Sequence, residues 1–482
     1  MHRFKRRFVI SAGLFLTLLA AAGTAQTFTV LHDFDYTDGR EGGSLVQGAD
    51  GNLYGTTWLG GTNGQGTVFR MTTSGTLTTL YNFCALSNCV DGSVPDAPLV
   101  QASDGNFYGE TYSGGRQNYG TVFKVTPSGT YKTLYSFCSQ TNCTDGAYPG
   151  GGLIEGTDGN LYGVTAYGGV YYSSQSNFAG TVFKISPGGK LTTLYSFCAQ
   201  TGCSDGQEPF APLLQASDGN FYGTTYEGGA SGDGTVFRLT PKGVLTTLHS
   251  FDSTDGRWPT AGLIEATDGN FYGTTTYGAT ENDDGTAFRM SPNGVLTTIH
   301  VFCLGHCTDG ARPEGLIQAA DGNLYGVTES GVGGEGISGS VYKMTLSGTV
   351  TKLHQFGFDS SGGSNPSDLI QDTNGTFYAG TLQGGEGYCD YGCGIIFSLS
   401  VGLGPFVETQ PTSAKVGKAV NILGTDLTSA TSVTFNGTPA TFTVVSPSLI
   451  TTTVPAGATT GTVHVVTPGG TLSSNVPFRV IQ

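Results

Sequence analysis

One motif recurs along this chain, Asp-Gly-Asn followed by Leu or Phe, then Tyr and Gly, and a fixed-period repeat restricts the chain to repeat architectures. Copies start at Asp50, Asp104, Asp158, Asp218, Asp268 and Asp321, and a degenerate one runs Asn374-Gly375-Thr376-Phe377-Tyr378. The spacings are 54, 54, 60, 50, 53 and 53 residues. In the second copy an apolar stretch, Leu99-Val100-Gln101-Ala102, precedes the motif. A Gly-rich loop follows it, then the run Gly120-Thr121-Val122-Phe123-Lys124, then the turn Thr126-Pro127-Ser128-Gly129, then Thr130 to Phe137. Each unit therefore reads as four short strands, a to d. Asp-Gly is a hairpin signal joining a to b, and Pro with Ser-Gly makes a β-turn joining c to d. Val, Thr, Tyr and Phe fill the strands between. Gly supplies 78 of the 482 residues, which penalises helix interiors and excludes helical and coiled-coil folds. Four strands in a unit of about 50 residues is the pattern of a β-propeller blade.

The two ends of the repeat region are complementary. Thr27 to Phe34 matches strand d, as in Thr76 to Phe83, but no a–c strands precede it. The seventh unit ends near Ile395 to Leu399 and lacks strand d. The N-terminal strand can complete the last blade and cover an edge that would otherwise lie open. The expectation is an all-β chain: a seven-bladed β-propeller closed by the N-terminal strand and followed by an immunoglobulin-like β-sandwich.

The first 25 residues read as a targeting segment. Arg3, Lys5, Arg6 and Arg7 form a basic start, Phe8 to Ala22 an apolar run, and Gly23-Thr24-Ala25 a small-residue cleavage site. The apolar run is short for a membrane span, and no later stretch is long and apolar enough to be one. Beyond residue 25 the chain has 17 basic against 36 acidic residues, a net charge of −19, the wrong sign for a nucleic-acid partner. The ten cysteines fall in five close pairs, Cys84/Cys89, Cys138/Cys143, Cys198/Cys203, Cys303/Cys307 and Cys389/Cys393. An even count in an exported chain implies disulfides, and pairing of sequence neighbours is the economical arrangement. A zinc site would need a second pair or histidines at ligand spacing. The predicted divisions are a signal peptide at 1–25, the repeats at 26–402 and a tail domain at 403–482. The predicted location is secreted, periplasmic or cell-surface.

The Asp-Gly-Asn-Phe-Tyr-Gly and Gly-Thr-Val-Phe-Lys runs resemble the GloVer tandem-repeat family of exported bacterial proteins from about Thr27 to Ser400. That resemblance implies secretion and a propeller and brings no established activity. After Leu403-Gly404-Pro405 neither Tyr nor Cys occurs, and Val and Thr dominate. Gly424, Phe435-Asn436-Gly437, Val454-Pro455, Gly469-Gly470 and Phe478 resemble an IPT/TIG domain. As an extracellular module, such a domain implies a spacer or an adhesion unit.

If strands a to d run outward from an axis, the b–c and d–a loops share one face. These loops vary between repeats, whereas the a–b and c–d turns keep their length. The d–a connection is short at Phe34 and Phe251 but longer where it carries Phe-Cys-x4-Cys, as from Phe83 to Gly92. The cysteines thus arrive with an insertion and are expected to staple it. Insertions concentrated on one face mark a binding surface. Trp58, Tyr112 and Tyr226 end strand b on that face, with Tyr167 and Tyr277 one step later, and the long third b–c loop adds Tyr171 and Tyr172. They suggest a stacking platform for sugars; packing between blades is the competing reading. Ala166, Glu329 and Leu382 occupy the strand-b position elsewhere, so folding does not demand an aromatic there.

Other signals weaken once the repeats are aligned. Gly202-Cys203-Ser204-Asp205-Gly206 matches a serine-hydrolase pattern but lacks the strand–turn–helix setting that chemistry needs. His32, His249, His300 and His354 align with Tyr81, Tyr135 and Tyr195, which points to one structural position that accepts either ring. The aspartates Asp38, Asp91, Asp145, Asp205, Asp255 and Asp309 are expected to hold turns. No cofactor, metal site or catalytic residue is assigned. Calcium in acidic loops such as 281–284 is left open, without EF-hand spacing. The expected role is a monomeric, non-catalytic binding or adhesion protein for extracellular polysaccharide or a surface protein. A polysaccharide lyase or glycosidase at the channel mouth, and a structural cell-surface protein, are the alternatives.

Overall fold

The computed structural model describes residues 26–171, 179–279, 284–304, 307–330, 339–357 and 362–481. The predicted targeting segment, Tyr172 and residues 281–283 lie outside them. Among the described residues the repeats form seven antiparallel sheets, five of four strands and two in which row a is split in two. The second repeat gives Val100–Gln101, Phe107–Thr111, Thr121–Val125 and Tyr131–Ser136, paired in that order. The seventh sheet takes its outer strand from the other end of the chain. Thr27–Asp33 pairs antiparallel with Ile395–Ser400.

The repeated motif is explained atom by atom. In the second copy Asp104 accepts the Asn106 backbone N–H at 3.0 Å and the Tyr108 hydroxyl at 2.8 Å, which ties the turn to the start of strand b. Gly105 has φ +79°, a conformation natural to glycine. The closing Gly109 is required for packing instead, because a Cβ there would lie 2.6 Å from Phe123 Cζ. That ring belongs to strand c, so the absence of one side chain lets strands b and c stack closely.

Sheets bury their faces against one another, not within themselves. Tyr54, Val68 and Phe83 of the first sheet share a fully buried cluster with Phe107, Phe123 and Val125 of the second. The pattern continues to the ends: Phe34, Leu45, Leu53 and Phe69 pack with Tyr378 and Ile396. Glu and Gln side chains at the end of strand a link neighbouring turns. Ala49, Ser103, Thr157, Ser217, Thr267 and Ala320 each donate a backbone N–H to Gln101, Glu155, Gln215, Glu265, Gln318 and Gln371 respectively, at 2.6–2.9 Å. The seventh turn donates from Thr373 to Gln47 of the first at 3.0 Å.

Tyr and His alternate in strand d because both present a donor to the same acceptor. Tyr81, Tyr135 and Tyr195 reach the buried Asp91, Asp145 and Asp205 at 2.7–2.8 Å. His32, His249 and His300 meet Asp38, Asp255 and Asp309 at 2.7 Å. Burial would raise the Asp309 pKa, but hydrogen bonds from His300 and the Cys303 N–H outweigh it and lower it. His354 instead stacks on Phe28 at 3.9 Å, and its pKa is lowered by burial.

Five disulfides join the sequence-neighbour cysteines. Three of them close 3-10 turns in d–a loops, Ser87–Cys89, Thr141–Cys143 and Thr201–Cys203. Cys389–Cys393 belongs to a different kind of loop. It lies in the b–c connection of the seventh repeat, and Cys393 is fully buried. Cys393 packs in one cluster with Phe34, Leu45, Phe69 and Ile396, and its carbonyl accepts the Glu41 N–H at 2.8 Å. The reason is its position two residues before strand c, where the chain already enters the contact between the last sheet and the first. This disulfide therefore ties its loop to the core.

The tail forms two four-stranded sheets around one core that includes Val420, Ile422, Phe435, Ile450, Val463 and Phe478. It contacts the a–b turns. Ser448 Oγ donates to the Ala49 carbonyl at 2.8 Å, Arg479 to that of Ala216 at 3.2 Å, and the Phe406 N–H to that of Thr373 at 3.0 Å.

Gly223→Ala should destabilise the protein by about 1–3 kcal/mol, because its Cβ would lie 2.6 Å from Phe237 Cζ. Denaturant unfolding checks this, and an unchanged midpoint would refute the stacking role of the glycine.

Candidate functional site

The ends of strands a and b opposite the tail domain carry the variable residues. One backbone position there is constant in geometry and variable in sequence. Glu41, Val94, Tyr148, Glu208, Trp258, Arg312 and Asn365 all have φ between 55° and 59°. Left-handed backbone at Val or Trp is costly and persists only where the surroundings impose it. The reason is a pair of hydrogen bonds. The Val94 N–H reaches the Gln65 carbonyl of the preceding repeat at 3.0 Å, while its own carbonyl accepts from Tyr112 at 2.8 Å. Tyr148, Glu208, Trp258 and Arg312 make the same bond to the preceding repeat, at 2.8–3.2 Å. Glu41 makes it to Cys393 of the seventh repeat at 2.8 Å, and because the backbone does this work, the side chains at these six positions are free to differ.

Two of them complete an aromatic arc. Tyr148 contacts Tyr112 at 4.9 Å, Tyr119 at 5.2 Å and Tyr167 at 5.6 Å. Tyr167 meets Phe210 at 6.3 Å, and Phe210 meets Tyr226 at 5.8 Å. Trp258 then stacks on Tyr226 at 5.4 Å and contacts Tyr277 edge-on at 5.4 Å. Arg257 lies 4.4 Å over Trp258, and Arg312 lies 5.2 Å over Tyr277. Every ring in the arc is partly buried and keeps some exposed surface.

Four residues expected from sequence, Tyr112, Tyr167, Tyr226 and Tyr277, thus come together. Trp58 is exposed and lines an adjoining cavity, and Tyr171 is exposed at the start of the third b–c loop. The sequence reading missed Tyr119, Tyr148, Phe210 and Trp258. The signal was present: Tyr148 and Trp258 directly precede Pro149 and Pro259, at positions aligned with Val94 before Pro95.

The cavity has a volume of about 440 Å³. Carboxylates of Glu41, Asp96, Glu314, Glu329 and Asp368 line it, together with Trp58, Tyr226 and Tyr277. Glu314 is pushed up to about 8, first by loss of water within the walls and then by the charges of Asp368 and Glu329. Its side chain keeps partial access to the cavity. Asp368 is raised by burial, against a 3.0 Å hydrogen bond from the Gly315 N–H. Asp96 is open to the cavity, yet the protein mass around it and the charge of Glu41 raise it too. Beside the arc, Glu208 rises to about 7 through burial and the charge of Glu227. The Tyr167 phenol is pushed up to about 12, chiefly by burial and then by Glu208.

Among the described residues the one group of metal-ligating atoms that gathers closely is Asp284, Cys303 and Cys307, and its two cysteines are tied in a disulfide. Ser204, the nucleophile of the rejected hydrolase pattern, donates to Gln200 Oε1 at 3.1 Å in an exposed turn.

The fold is that of a β-propeller-like, all-β protein with a C-terminal IPT/TIG domain, matched at residues 407–480. The chain belongs to the Gloeobacter/Verrucomicrobia repeat family, which it matches over residues 17–204 and 169–397. No curated protein matches it in sequence. Among solved structures it is similar to the extracellular domain assigned to the hybrid two component system BT4673 of B. thetaiotaomicron. That likeness has 11% identity and a TM-score of 0.52, covering 95% of this chain and 60% of that one. It is also similar to the extracellular domain assigned to BT3049 of the same organism, with 12% identity and a TM-score of 0.50, covering 92% of this chain and 53% of that one. The chain therefore spans little more than half the length of those domains, and the likeness concerns fold alone.

One buried acid gives a pH prediction. Glu110 is fully buried where sister repeats have Thr56, Thr224 or Val164. Burial pushes it to about 8 despite a 2.9 Å bond from the Gly152 N–H. The native state thus holds a proton that the unfolded chain releases near 4.5, so stability falls as pH rises from 4.5 to about 8. Glu110→Thr should flatten that slope by about 1.4 kcal/mol per pH unit. Thermal midpoints across this range read the difference, and parallel profiles would contradict it.

Proposed function

We propose that this chain is an exported, non-catalytic protein that binds a carbohydrate polymer along the aromatic arc. In this reading residues 26–402 form a closed seven-bladed propeller and 403–482 the IPT/TIG domain. The seven hydrogen bonds from turn to turn support closure, because the last returns from Thr373 to Gln47. Pairing of Thr27–Asp33 with Ile395–Ser400 supports it as well. The five disulfides fit an oxidising compartment, as does the basic-then-apolar start of the chain.

The arc carries the functional reading. Partly exposed aromatic rings in contact over several repeats offer apolar surface to successive sugar rings, each contact weak and the sum useful. The tail domain occupies the a–b turns and leaves this end of the strands free.

The test exploits the left-handed backbone. Glycine is at ease at φ 55°, so Tyr148→Gly and Trp258→Gly remove rings without opposing the local conformation. Residues 26–482, purified oxidised, are co-sedimented with a panel of microbial and plant polysaccharides, and soluble products are assayed in the same tubes. The expected result is retention by wild type, loss of about tenfold or more in affinity for the double variant, and no product. Retention unaffected by the double variant would remove the arc from the argument. New reducing or unsaturated ends would replace the binding reading with a glycosidase or lyase.

A further inference from the structure

We propose that the cavity beside the arc is a subsite for a protonated amine, so that the preferred polymer is built from amino sugars; this rests on the carbohydrate reading above. The cavity gathers carboxylates from separate repeats, Asp96 from the second, Glu314 from the sixth and Asp368 from the seventh. Among the described residues no Lys or Arg pairs with any of these three. Two other carboxylates of the cavity already have a cation, Glu41 with Arg40 at 2.9 Å and Glu329 with Arg312 at 3.7 Å.

The walls say which kind of cation fits. Trp58, Tyr226 and Tyr277 line the same space; aromatic rings attract cations, as with Arg312 5.2 Å over Tyr277, and do not ligate hard metal ions, which take oxygen ligands. Nor do the cavity carboxylates form a close set of metal-ligand atoms among the described residues. Uronates and sulfated sugars would meet like charge.

A second, independent feature lies beneath the acids. Tyr342 is fully buried, and its hydroxyl has no hydrogen-bond partner. The phenol senses the charges of both Glu314 and Asp368, and its oxygen would lie 2.6 Å from a Cβ on Gly326. Six sister repeats carry Phe there, namely Phe69, Phe123, Phe183, Phe237, Phe288 and Phe397. The one added hydroxyl occurs where two carboxylates converge. A carboxylate ionised by a bound ammonium gains a donor from it, whereas a neutral ligand gives that hydroxyl nothing to do.

The experiment is isothermal titration of the oxidised chain, near neutral pH, with a glucosamine hexamer and with its N-acetylated counterpart. The two share sugar faces and differ in the amine. Wild type should bind the amine form at least about tenfold more tightly. Glu314→Gln with Asp368→Asn should abolish the preference and leave affinity for the acetylated form unchanged. Tyr342→Phe, which restores the residue of the sister repeats, should narrow the preference by about threefold and guards against a misfolded double variant. Equal affinity of wild type for the two hexamers, or a preference unchanged in both variants, overturns the amine subsite while the arc reading stands. Binding of neither hexamer, with no retention on any polysaccharide, overturns both. Calcium chloride binding lost in the double variant, or binding of a lysine oligopeptide in place of the glucosamine hexamer, also overturns the amino-sugar assignment.

Discussion

A four-stranded sheet of this kind cannot bury both of its faces by itself, and everything else in the structure follows from how each sheet leans on the next. The side-chain carbonyl or carboxylate at the end of strand a takes the backbone N–H of the preceding turn, and the contact repeats from Ala49 with Gln101 through Thr373 with Gln47. A buried backbone donor left without an acceptor would be costly, so the bond sets spacing as well as adding stability. Inward of it, large rings such as Phe123 fit over bare glycines such as Gly109. Those rings then fill the space against the neighbouring sheet.

The same requirement at the other end of the strands has a different consequence. There, in six repeats, the N–H of one residue crosses to the neighbouring repeat, and the backbone accepts φ of 55° to 59° to do it. Because the bond uses main-chain atoms alone, the side chain is released from structural duty. Tyr148 and Trp258 became aromatic, while Glu41 and Glu208 became acidic. A strained backbone position that tolerates Val, Trp and Arg is a place where a fold can change its surface without changing its frame.

Placement of the tail domain makes the two ends of the strands unequal. Contacts at Ala49, Ala216 and Thr373 cover turns whose sequence hardly varies. The variable ends keep the partly exposed rings and the acid-lined cavity. Asymmetry between repeats is concentrated there too. Asp368 stands where sister repeats have Ala97, Ala211 and Ala261, and Tyr342 where they have Phe; the two departures meet beside Glu314.

The strands, their four-fold grouping and the cysteine pairing are local properties, carried by turn chemistry and short spacings, and so were legible in order along the chain. The seven motif copies gave the anchors, and the Tyr–His alternation of strand d was readable as one position before its shared aspartate acceptor was visible. Pairing of Cys389 with Cys393 could be read from spacing, but the place of Cys393 in the core could not, because its neighbours Phe34 and Leu45 come from the opposite end of the chain. Trp58, Tyr112 and Tyr226 could be aligned as equals, yet only packing separated them: Tyr112 meets Tyr148, Tyr226 both stacks on Trp258 and lines the cavity, and Trp58 lines the cavity while exposed. Tyr148 and Trp258 were hidden because alignment alone gives no φ angle and no direction for a side chain. The meeting of Glu314 with Asp368, 54 residues apart, and the burial of Glu110 were decided by the tertiary structure. Burial and like charge depend on which repeats become neighbours and on where each side chain points, and no local pattern encodes that.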